Sequence, residues 1–71
     1  MNRSTVQQRL IQTEEQIVSA EHQIAQQRKV IAEIESSGRS PAHAKYLLAG
    51  LELLRAARRE SRDALLKKLK A

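Results

Sequence analysis

Seventy-one residues with no cysteine, no Phe or Trp and a single Tyr fit one small domain spanning 1–71, and they exclude disulfide staples and thiol chemistry. Thirteen Lys and Arg against eight Asp and Glu give a net charge of +5, and no stretch approaches the roughly 18 uninterrupted apolar residues of a membrane span. A core drawn from so short a chain rarely supplies more than about 3–5 kcal/mol, so oligomerisation is the expected source of stability.

The first residues, Met1 to Gln8, carry no apolar signal-peptide core, and a cytoplasmic protein is the expectation. Ser4 and Gln7 have the spacing of a capping box, in which the Ser oxygen accepts from the N3 amide and Gln reaches back. From there Leu10, Ile17, Ile24 and Ile31 recur every seven residues, which predicts one helix over about 4–37 with a continuous apolar edge. About 33 residues at 1.5 Å each make a rod of about 50 Å. A second row, Ile11, Val18, Ala25 and Ala32, lies about 100° further round the helix. A two-stranded coiled coil needs only one narrow seam. So wide a sector implies two neighbours, as in a four-helix bundle. Gln12, Gln16, Ser19, Gln23 and Gln26 give the same helix an uncharged polar face, either solvated or docked on another coiled protein through its amides.

The apolar rows stop at Ser36-Ser37-Gly38-Arg39-Ser40-Pro41. Gly38 suits the left-handed position that ends a helix, and the turn is expected over about 38–40. Ser40 then serves as N-cap and Pro41 as first helical residue, where a missing amide costs nothing. A second helix is predicted over about 41–69, with Lys67, Lys68 and Lys70 at the end where cations suit the helix dipole. So short a connection forces the helices antiparallel.

On the second helix Leu47, Leu48, Leu51 and Leu54 crowd the turn end, and Leu65, Leu66 and Leu69 the far end. Between Arg55 and Asp63 no aliphatic exceeds Ala56 and Ala57. Levelled across the hairpin, Ala57 and Ser61 fall near Ala20 and Ile17, which predicts close helix approach at mid-height and large aliphatics at both ends. Leu53 points away from the Leu47–Leu51–Leu54 face, and Gly50 is a close-packing or tolerated interior glycine. The fold class expected is all-α, an antiparallel hairpin dimerising into a four-helix bundle. Its core and dimer contacts are Leu10, Ile11, Ile17, Val18, Ile24, Ile31, Leu47, Leu51, Leu54 and Leu65. The two hairpins could lie with their turns at the same end or at opposite ends, and the sequence does not choose.

Charge is unevenly divided. Residues 1–37 carry four basic and five acidic side chains, residues 38–71 nine basic and three acidic. Arg55, Arg58, Arg59 and Arg62 recur at helical spacing, and the like-charge pairs four apart cost a few tenths of a kcal/mol each unless offset. Glu52 and Asp63 on the same helix, and Glu14, Glu15 and Glu21 across the hairpin, could offset them as a charge zipper. Alternatively the arginines form an anion or nucleic-acid surface, working through phosphates because no aromatic residue stands beside them to stack on bases.

His22 and His43 lie at different heights and have no His or Cys three or four residues away, so no metal site is expected. Ser and Thr sit at caps or alone on helix faces, and no phosphate-cradling loop is present, so no catalytic residue and no cofactor is expected. From His22 onward the chain resembles a group of small, uncharacterised bacterial helical-hairpin proteins of unknown function. The likeness rests on His22-x-Ile24, Gln27-Arg28, Ile31, Ile34-Glu35, Gly38, Ala44, Leu47-Leu48 and Arg62-Asp63-x-Leu65, over roughly residues 22–66. It implies a hairpin and transfers no functional residue. A more distant architectural similarity is to type III secretion needle subunits, from which this chain departs in lacking aromatic residues and an obvious polymerising tail. The expected function is a non-enzymatic homodimeric adaptor, regulator or scaffold acting through protein contacts. A heterologous protein partner and a small nucleic-acid-binding regulator are the alternatives.

Overall fold

The computed structural model describes residues 2–71. Two helices, α1 (Arg3–Ser36) and α2 (Ala42–Lys70), pack antiparallel as a hairpin measuring 54 × 14 × 14 Å between Cα atoms. The described residues contain no strand, and no helix among them is long and apolar enough to cross a membrane.

The helix limits lie within a residue of those read from the periodicity, but the start is capped differently. Asn2 has extended backbone, and its side chain accepts from the Thr5 amide at 2.8 Å. Ser4 is therefore inside the first turn rather than at its cap. Asn caps as well as Ser does, and a cap two residues earlier brings Arg3 and Ser4 into the helix.

At the turn the chain closes with a Schellman arrangement. The Arg39 amide donates to the Ile34 carbonyl at 3.2 Å and the Gly38 amide to the Glu35 carbonyl at 3.1 Å. Gly38 has φ 78°, the left-handed conformation that an L side chain resists. A Cβ there would meet nothing within 4 Å, so the backbone angle, not space, requires the glycine. Pro41 occupies the cap position itself. Its carbonyl accepts from the Lys45 amide at 2.9 Å, and Ser40 Oγ takes only a long 3.4 Å bond from Ala42.

The inner face of α1 follows alternating steps of three and four: Val6, Leu10, Thr13, Ile17, Ala20, Ile24, Gln27, Ile31 and Ile34 are all buried or half-buried. That is one narrow seam. Ile24 is the deepest of these, at 1% exposed. The two polar residues on this line are satisfied. Thr13 Oγ1 donates to its own helix at the Arg9 carbonyl, 2.8 Å, and Gln27 Nε2 donates across to the Ala44 carbonyl, 3.0 Å. At the open end Arg3 donates to the Leu69 carbonyl at 3.1 Å.

The inner face of α2 obeys the same steps: Ala44, Leu48, Leu51, Arg55, Arg58, Arg62, Leu65 and Leu69. Here the structure corrects the expected core. Ala57 and Ser61 do not face Ala20 and Ile17; both are exposed, and three arginines take the inward positions at mid-height. The period of the helix fixes which residues turn inward once Leu48 and Leu51 do, whatever their type. Ile17, Ala20 and Ile24 are nonetheless nearly free of solvent. Arginine can do this because its methylene stem lies along an apolar surface while the guanidinium stays in water.

Candidate interaction surface

The sequence-predicted contact residues separate into three groups. Ile17, Ile24, Ile31 and Leu65 are buried between the helices, and Leu10 and Leu51 are half-buried there. Ile11, Val18, Leu47 and Leu54 remain exposed, Ile11 by 58% and Val18 by 53%. Leu53, expected to point away, does so at 73% exposed.

The four exposed aliphatics do not share one surface. Val18 and Ala25 border a shallow depression with Glu21 and His22, and Glu21 is the residue that reaches Arg59 on α2. The Ile11–Val18–Ala25–Ala32 row therefore belongs to the side of the hairpin where the interhelix ion pairs lie. Leu54, by contrast, lines a groove with Gln16, Ser19, Gln23 and Arg58. That groove continues past Gln12, Ser61 and Ala64 to Arg9 and Lys68. The glutamine row of α1 and the Leu47–Leu54 row of α2 thus form the opposite side.

The two sides differ in charge. On the first, Arg59 meets Glu21 at 3.3 Å and Lys45 meets Glu35 at 3.8 Å. All four side chains are about half in solvent, so each pair is worth at most about 1 kcal/mol. On the second, the outer positions of α1 from Gln12 to Val30 and of α2 from Leu47 to Ala64 read Gln, Gln, Ser, Gln, Gln, Val and Leu, Gly, Leu, Ala, Ser, Ala. Arg58 enters this side from the seam and lines the groove.

The four arginines do not form one stripe. Arg55, Arg58 and Arg62 are half-buried on the inner face of α2, and Arg59 lies outside it, paired to Glu21. Arg62 donates to its neighbour Asp63 at 3.2 Å rather than to Glu14 or Glu15. The three-four rhythm through Ala44, Leu48 and Leu51 already placed Arg55, Arg58 and Arg62 on the seam. Ranking residues by hydrophobicity hid that signal. His22 and His43 are both exposed, and no group of three His, Cys, Asp or Glu that could hold a metal occurs among the described residues.

No family model, no curated protein and no solved structure matches the chain.

Proposed function

We propose that this chain is a non-enzymatic interaction protein: a helical hairpin that self-associates as a homodimer, forming a four-helix bundle, and acts through protein contacts as an adaptor, regulator or scaffold. The observation that carries this reading is the amount of aliphatic surface the hairpin leaves uncovered. Ile11, Val18, Leu47, Leu53 and Leu54 are all exposed while the buried apolar side chains amount to one narrow seam. Rows of exposed aliphatics along both sides of a hairpin suit association surfaces, and two helices alone make a marginal fold. The two uncovered faces lie on opposite sides, so one can serve self-association and the other a different protein. A cytoplasmic setting suits a chain without cysteine.

The nucleic-acid reading needs the guanidiniums of Arg55, Arg58, Arg59 and Arg62 free on one face. Their placement favours packing and pairing within the hairpin instead. Sedimentation equilibrium over micromolar concentrations, with no partner present, tests the proposal. A dimer mass with a cooperative helical melt is expected. A monomer mass, or low helicity in isolation, contradicts self-association and turns the search to a partner on which the chain folds. Added duplex RNA or DNA is expected to bind negligibly at 50 mM salt. Tight binding that falls steeply with salt would revive the alternative.

A further inference from the structure

We infer that two copies of this chain meet across the glutamine–leucine side, with their turns at opposite ends. In that arrangement α1 runs antiparallel beside α1 of the second copy, and α2 beside α2. The inference rests on the self-association proposed above and goes further by naming the face and the topology.

In a chain with a net charge of +5, a two-fold contact sets a face against itself, so charges of one sign near the axis meet their own copies unless the face is neutral there. The side from Gln12 to Val30 and from Leu47 to Ala64 meets that condition except for Arg58, which lines the groove at mid-height. Glutamines are self-complementary as well, since each amide donates and accepts. A surface of amides set on a copy of itself can satisfy its own hydrogen bonds and those of Arg58.

The ends of the face decide the topology. Arg9 and Lys68 stand together at the open end of the groove. With both turns at one end, these two cations would meet the same two of the second copy. With the turns at opposite ends, a two-fold axis midway between Ser19 and Gln23 brings Arg9 level with Glu33 of the second copy. The same axis crosses α2 midway between Leu54 and Ala57. It sets Leu47 against Ala64, Leu54 against Ala57 and Gly50 against Ser61, large on small at each level.

Gly50 supplies a separate observation. Glycine within a helix costs about 1 kcal/mol relative to Ala, yet a Cβ at Gly50 would meet nothing within 4 Å in the hairpin. Nothing inside the chain requires it. A second helix approaching that face closely would. Overlaid along its whole length, a hairpin of 54 × 14 Å set on its copy covers roughly 1,500 Å² in total, the range of stable protein interfaces, and the uncharged stretch from Gln12 to Val30 is about half of that.

Ala57 and Val18 are both exposed on the hairpin, so a glutamate at either leaves the seam intact, which circular dichroism checks. The full chain and its Ala57→Glu and Val18→Glu variants are compared by sedimentation equilibrium, and an equimolar mixture of Leu54→Cys and Ala57→Cys chains is oxidised, the protein having no other cysteine. We expect a wild-type dimer, association weakened roughly a hundredfold by Ala57→Glu, no such change with Val18→Glu, and a disulfide joining the Leu54→Cys chain to the Ala57→Cys chain, the two positions that the axis sets level. A wild-type dimer that survives Ala57→Glu, is broken by Val18→Glu, or gives no such mixed disulfide overturns the face or the topology while self-association stands. A wild-type monomer overturns both.

Discussion

The two inner faces of this hairpin solve the same packing problem with different residues. On α1 the seam is aliphatic along almost its whole length, with Thr13 and Gln27 as satisfied exceptions. On α2 it is aliphatic only near the turn and near the open end, and Arg55, Arg58 and Arg62 cross the middle. The difference teaches that one helix can carry most of the apolar surface while its neighbour supplies little more than methylene stems. It also bears on function, because Arg55, Arg58 and Arg62 along the seam and Arg59 beside Glu21 do not line up as one basic stripe.

That contrast can be broken or sharpened residue by residue. Ile24→Asp strikes the deepest point of the α1 seam, and an unpaired carboxylate there is expected to cost about 3–5 kcal/mol. Loss of helicity at 25 °C by circular dichroism is the readout. Leu65→Ala removes the buried aliphatic of the α2 seam and is expected to cost about 2–3 kcal/mol in urea unfolding. Arg58→Ala is expected to cost about 1 kcal/mol, the packing of its stem against the Ala20 level. A freely solvated Arg58 would show no loss. Glu21→Gln, which breaks only the exposed pair with Arg59, is expected to shift stability by a few tenths of a kcal/mol and by less in high salt.

Much of this architecture was legible in the residues. The seven-residue spacing of Leu10, Ile17, Ile24 and Ile31 specified α1 and its inner edge, and Gly38 followed by Ser40-Pro41 specified the reversal. The α2 seam was harder, because Leu47, Leu48, Leu51 and Leu54 offer more than one consistent line. Only the rhythm carried on into Arg55 and Arg58 selects Leu48 over Leu47. Ile11 and Leu47 were both legible as surplus apolar residues, but their lying on opposite sides of the hairpin was not. That depends on the direction in which the turn lays α2 against α1, which no periodicity within one helix records. The neutrality of the glutamine–leucine side appears only once the two helices are placed together.

The most direct test of the account replaces the three seam arginines together, as Arg55→Leu/Arg58→Leu/Arg62→Leu, and follows thermal unfolding at fixed protein concentration. If these positions belong to the seam, well-packed leucines should stabilise the hairpin and raise its melting temperature, as when half-buried charges give way to apolar side chains. An unchanged or lower melting temperature, with aggregation of newly exposed leucines, would show instead that the arginines face solvent and are free to bind an anionic partner.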